Sequence, residues 1–106
     1  MNPHEALSGA AAKRSQLDAD LRDLDLTPVR YQLALQGWTL ARILAAETEF
    51  LTFLQSIRRD PTQPHAPTAN ADLYWHEAIL ITPFYHGICE RHFGRYLHHW
   101  PFAQRR

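Results

Sequence analysis

The stretch Leu40-Ala41-Arg42-Ile43-Leu44-Ala45-Ala46-Glu47-Thr48-Glu49-Phe50-Leu51-Thr52-Phe53-Leu54-Gln55-Ser56-Ile57-Arg58-Arg59 decides the fold. At about 100° per residue, Leu40, Ile43, Leu44, Ala46, Phe50, Leu51, Phe53, Leu54 and Ile57 fill one broad arc. Arg42, Thr48, Glu49, Thr52, Gln55, Ser56 and Arg59 take the other side. Such a wide apolar arc suits a core helix that touches two neighbours. Thr39 stands where an N-cap is needed, and Asp60-Pro61 ends the pattern. Pro64 and Pro67 keep Thr62 to Thr68 from continuing it, so that segment reads as an extended connector.

Outward from this helix the signals remain helical. Thr27-Pro28 is a cap-then-proline start, and the helix it opens runs to about Leu35, before Gly37 interrupts. Leu17, Leu21 and Leu24 recur among Asp18, Asp20, Asp23 and Asp25, which gives a short acidic amphipathic helix. Downstream, Asn70 caps a helix of about Ala71 to Ile81. Thr82-Pro83 opens a last one, about Pro83 to His99, which Pro101 stops. No period-2 apolar stretch bounded by turn residues stands out. The expected fold is all-α, a compact single-domain bundle of four to five helices. Residues 1–16, small and polar with Ala10-Ala11-Ala12, read as a flexible N-terminal segment ahead of a helical domain over 17–106.

Composition agrees and excludes several functions. The chain has 106 residues, 45% hydrophobic and 21% charged, the mix of one globular domain. Eleven basic and eleven acidic side chains leave no net charge, so a protein that coats nucleic acid is not expected. No run of about 18 apolar residues exists to span a membrane, and Met1 to Ala12 lacks the pattern of a secretory signal. A cytoplasmic location follows as the expectation. Cys89 is the only cysteine, which rules out an intramolecular disulfide and an all-cysteine zinc site.

The chemistry-bearing residues gather late in the chain. Of seven histidines, His76, His86, His92, His98 and His99 fall within 24 residues. On the last helix, Tyr85, Cys89, His92, Tyr96 and His99 share one stripe, flanked by Ile88, Phe93 and Trp100. Each polar head there needs a partner. Asp72 and His76, spaced i, i+4, are neighbours in which a carboxylate would fix the imidazole tautomer. His76 lies between Ile79 and Leu80 beside Trp75, which predicts a core-facing ring. Glu47 sits near the middle of the apolar arc of its helix. A carboxylate there must be paired, metal-bound or protonated, or must reach solvent or an arginine.

A set of His76, Cys89 and His92 or His99, completed by Glu47 or water, would suit zinc or another divalent transition metal. His92 and His99, two turns or about 10.5 Å apart on a helix, would not share one mononuclear site. Against the metal, no spaced zinc-finger pattern is present. Cys89, mid-helix on an apolar stripe, reads as a small buried hydrophobe rather than a nucleophile. The four arginines from Arg91 to Arg106 read as a solvated end.

The residues Asp72-Leu73-Tyr74-Trp75-His76, Leu80, Thr82, Tyr85, Cys89, Phe93-Gly94-Arg95 and Leu97-His98-His99-Trp100-Pro101 also form a pattern. It resembles that of the bacterial and plant family called glycine-rich domain-containing protein-like, over roughly residues 24–102. The resemblance implies a helical domain, marks Asp72, Trp75, His76, Tyr85, Cys89 and His99 as its motif positions, and implies no particular activity. One departure is Ala78, where the family often has a second histidine; if that histidine is a ligand in relatives, a metal site here loses a member. The glycine-rich region is absent. With no phosphate loop, dinucleotide glycines or paired catalytic signature, an enzyme has little support. Residue chemistry and resemblance together favour a non-enzymatic domain that binds a protein partner or serves as an accessory unit. A metal-binding domain is the alternative, and a small enzyme using the same constellation the next.

Overall fold

The computed structural model describes residues 12–99. A helical turn at 12–14 leads into α1 (Ala19–Arg22), α2 (Thr27–Leu35), α3 (Leu40–Arg59), α4 (Ala69–Leu80) and α5 (Thr82–Phe93). Among the described residues there are no strands. The domain is all-α, as its periodicity predicts. The parts of the expected terminal segments at 1–11 and 100–106 lie outside the described residues.

The long helix forms over the stretch its pattern marks. Thr39, in extended conformation, accepts the Arg42 N–H on its hydroxyl at 3.2 Å, and Asp60 closes the other end. Ile43, Ala46, Phe50, Leu51, Phe53 and Leu54 are buried, whereas Leu40 at the first turn is exposed. The supposed solvent side is not all wet. Thr48 and Gln55 are buried, and residues 16–18 lie across Gln55. Gln55 ties them down: its Oε1 accepts the Asp18 N–H at 2.6 Å and its Nε2 donates to the Gln16 carbonyl at 3.3 Å.

α4 packs on α3 and also touches α2 and α5, so it sits at the centre of the bundle. Phe50 meets Tyr74 and Phe53 meets Trp75, each with ring centroids 5.1 Å apart. Such aromatics remove the largest apolar areas from water, on the order of 2 kcal/mol or more each.

Four boundaries differ from expectation. Thr27 and Thr82 are not caps but the first residues of α2 and α5, behind Leu26 and Ile81 and without a side-chain cap bond. The other two concern the start of α4 and the end of α5. α4 begins at Ala69, since Thr68, and not Asn70, is the cap: it follows Pro67 in extended conformation and accepts the Ala71 N–H at 3.1 Å. α5 stops at Phe93, well short of His99. Gly94 adopts φ 70°, a left-handed geometry that glycine alone enters without cost and that terminates helices. Beyond it, residues 95–99 are not helical. Tyr96 and His99 therefore do not extend the stripe of Tyr85 and Cys89.

Candidate functional site

The turn at Gly94 sends the chain back over α4 and α5, and most of the singled-out residues hold it there. α4 contributes Asp72 and, three residues on, Trp75; α5 contributes Tyr85 and, one turn on, Cys89. The Trp75 indole N–H donates to the Tyr85 hydroxyl at 2.8 Å. That hydroxyl in turn donates to the Leu97 carbonyl at 2.5 Å. The Leu97 N–H donates to the Cys89 thiol sulfur at 3.5 Å. Both backbone polar groups of buried Leu97 are thus satisfied by side chains of α5. Two residues later the His99 imidazole lies against Asp72, Nε2 to Oδ1 at 2.5 Å, with its ring edge-on to Trp75 at 4.6 Å. Tyr96 packs edge-on against Tyr85 at 5.3 Å.

Burial holds the Tyr85 phenol well above its ordinary range, only partly offset by the Trp75 hydrogen bond. It therefore keeps the proton that it donates to Leu97. The thiol is buried and engaged by an amide, and the phenol bridges an indole and a carbonyl. These groups hold residues 96–99 against α4 and α5.

The carboxylate–imidazole pair exists, but its histidine is His99 and not His76. His76 is exposed, which corrects the core-facing expectation. Ala71, Tyr74, Trp75 and Ala78 are the buried residues of α4, and His76 lies about 150° of helical rotation from their mean direction. His76 therefore does not meet Cys89 in a dry interior. Its neighbours on the outer face are Leu73 and Leu80, 47% and 61% exposed.

The remaining metal candidates go elsewhere. Glu47 is fully buried and bound by Arg30 of α2: Nε lies 3.0 and 3.2 Å from its two oxygens and Nη2 2.9 Å from one. Arg14 approaches to 3.7 Å. The Tyr74 hydroxyl is buried beside this carboxylate without a hydrogen bond among the described residues, and burial, then the Glu47 charge, push its phenol far up. His92 Nδ1 lies 2.9 Å from Asp20, in a network that also pairs Asp20 and Asp18 with Arg58 and Asp18 with Arg59. His76, Cys89, His92, His99 and Glu47 are thus dispersed. Among the described residues no three His, Cys, Asp or Glu side chains are grouped to hold a metal ion.

Two partners lay beyond sequence reasoning. Arg30 carries no signal except adjacency to the apolar Val29 and Leu33. Leu97 acts through its backbone, which no side-chain pattern reports.

Compared with known proteins, residues 32–104 match the family model described as UCP032817-like, about two thirds of the chain. No curated protein and no solved structure matches the chain.

Proposed function

The chain belongs to the UCP032817-like family, and on that premise we propose that it is a non-enzymatic protein-interaction domain, working in the cytoplasm. One observation carries this reading. The outer face of α4 presents Leu73, His76 and Leu80 within about 60° of rotation, where a solvated helix would carry charge. Burying the exposed halves of Leu73 and Leu80, 47% and 61% of each, against a partner would contribute about 1 kcal/mol each. The partner this face suits is a protein bringing its own apolar helix surface, with His76 between the two leucines to fix register. The likeness to glycine-rich domain-containing protein-like sequences belongs to the same proposal. In it, Asp72, Trp75, Tyr85, Cys89 and His99 clasp the chain end and hold α4 in place, while His76 faces outward for the partner.

Site-specific photo-crosslinking tests this. A benzophenone side chain placed at Leu73 and at Leu80 in cells is expected to capture the same protein, and one at exposed Gln63 is not. The captured protein, once purified, should bind the wild-type domain and lose about tenfold affinity to Leu80→Glu, with unchanged melting. Equal capture from Gln63, or full affinity of Leu80→Glu, would overturn the proposal.

A further inference from the structure

A second site lies along the side of α3 that its helical pattern marks as solvated. Glu49, Thr52, Phe53 and Ser56 follow at i, i+3, i+4 and i+7, so they form one stripe. Two structures wall this stripe into a cleft. On one side stands the segment with Lys13 and Leu17, pinned by Gln55; on the other stands the proline-rich connector with His65. The cleft has two lobes of about 300 and 320 Å³. Glu49, Thr52 and Thr68 line both, so the lobes are neighbours. Each lobe lies at the small end of ligand-pocket sizes.

Three of the polar side chains presented there offer acceptors. Thr52 and Ser56 donate their hydroxyl protons back to the carbonyls of Thr48 and Thr52, at 2.8 and 3.0 Å, which leaves their oxygens to accept. His65 Nε2 lies 2.7 Å from the Asp60 carbonyl, which can only accept, so in the neutral ring Nδ1 is an acceptor as well. Glu49 is half-buried, and no ion pair reaches it among the described residues, in contrast to Asp18, Asp20, Glu47 and Asp72. Buried Phe53 and Leu17 supply apolar floor to the two lobes. Lys13 lines the same lobe as Leu17 and is the cation among its described lining residues.

We propose that this cleft binds a small free amine, its ammonium held by Glu49 and its apolar arm lying on Phe53 or Leu17. An ammonium brings three donors and no acceptor, the complement of the Glu49 carboxylate and the Thr52 oxygen one turn on, while Ser56, two turns from Glu49, lies further along the cleft. The site is separate from the outer face of α4, so its failure leaves the protein-interaction reading untouched.

Backbone amide NMR of the full chain with 1-aminopentane as probe tests it. The amine is expected to shift Glu49, Thr52, Phe53 and Thr68, while 1-pentanol, of the same shape but uncharged, shifts them about tenfold less at equal concentration. Glu49→Gln should weaken the amine by about tenfold with unchanged melting, as loss of a charge-assisted bond requires. Thr52→Val, which keeps shape and charge, should weaken it by a smaller factor. Equal shifts with pentanol, full binding by Glu49→Gln, or shifts that map elsewhere would each overturn the proposal. So would binding of a capped Ala-Lys-Ala peptide with no binding of the free amine.

Discussion

Arg30→Met is expected to destabilise the domain far more than Glu47→Leu, although both remove the same ion pair. The asymmetry follows from exposure. The Glu47 side chain is wholly inaccessible, whereas the Arg30 side chain is 38% exposed. Without its carboxylate, Arg30 can turn its guanidinium to water, and leucine takes a buried place one turn before Phe50 and Leu51 on the same helix. Replacing a buried pair member by an apolar residue of similar volume is often close to neutral. Without Arg30, Glu47 remains in the core with Arg14 at 3.7 Å as its remaining cation. Removing one partner of a buried pair costs about 3–5 kcal/mol; the residual Arg14 places this case near the lower end, about 3 kcal/mol. With a urea dependence of about 1.5 kcal/mol per molar, that lowers the midpoint by about 2 M. It lowers the melting temperature by about 12–24 °C. Glu47→Leu should stay within about 1 kcal/mol of wild type. Urea unfolding followed by helical circular dichroism reads both variants. A loss below about 1 kcal/mol for Arg30→Met, or a larger loss for Glu47→Leu than for Arg30→Met, would show that the buried carboxylate does not depend on its arginine.

Two tyrosines make the next contrast. Tyr85→Phe should cost about 2–4 kcal/mol in the same assay, since it strands the Trp75 N–H and the Leu97 carbonyl in the interior. Tyr74→Phe should cost less than about 1 kcal/mol or stabilise, because its hydroxyl forms no hydrogen bond among the described residues. Acid should expose the α1 network. Arg58 first, then His92, hold the Asp20 carboxyl well below the usual carboxylate range. A carboxyl depressed on folding stabilises above its unfolded value, near about 3.9, and loses that contribution as pH falls toward its folded value. The stability difference between wild type and Asp20→Asn should thus shrink as pH falls from about 4 to 2. A difference that holds down to pH 2 would refute the pairing.

What the sequence by itself determined is the local, periodic part. The apolar arc of 40–59, its Thr39 cap and the Asp60-Pro61 stop are all properties of neighbouring residues; the structure keeps the cap and the stop, and keeps the arc except at exposed Leu40 and beside buried Thr48 and Gln55. The burial of Glu47 was legible too, as a carboxylate in an apolar arc, together with its need for a partner. Which partner was not: Arg30 is 17 residues away and meets Glu47 only because α2 crosses α3 there. The same holds for Asp72. Spacing offers His76 one turn away, but tertiary packing rotates His76 outward and delivers His99 from 27 residues on. Gly94 decided that outcome. One residue in a left-handed turn ended a helix that the pattern would have continued, and it converted a supposed stripe of metal ligands into a clasp. Helical phase depends on nearest neighbours and can be read along the chain. Long-range polar pairing depends on where loops send the backbone, and only the packed fold fixes that.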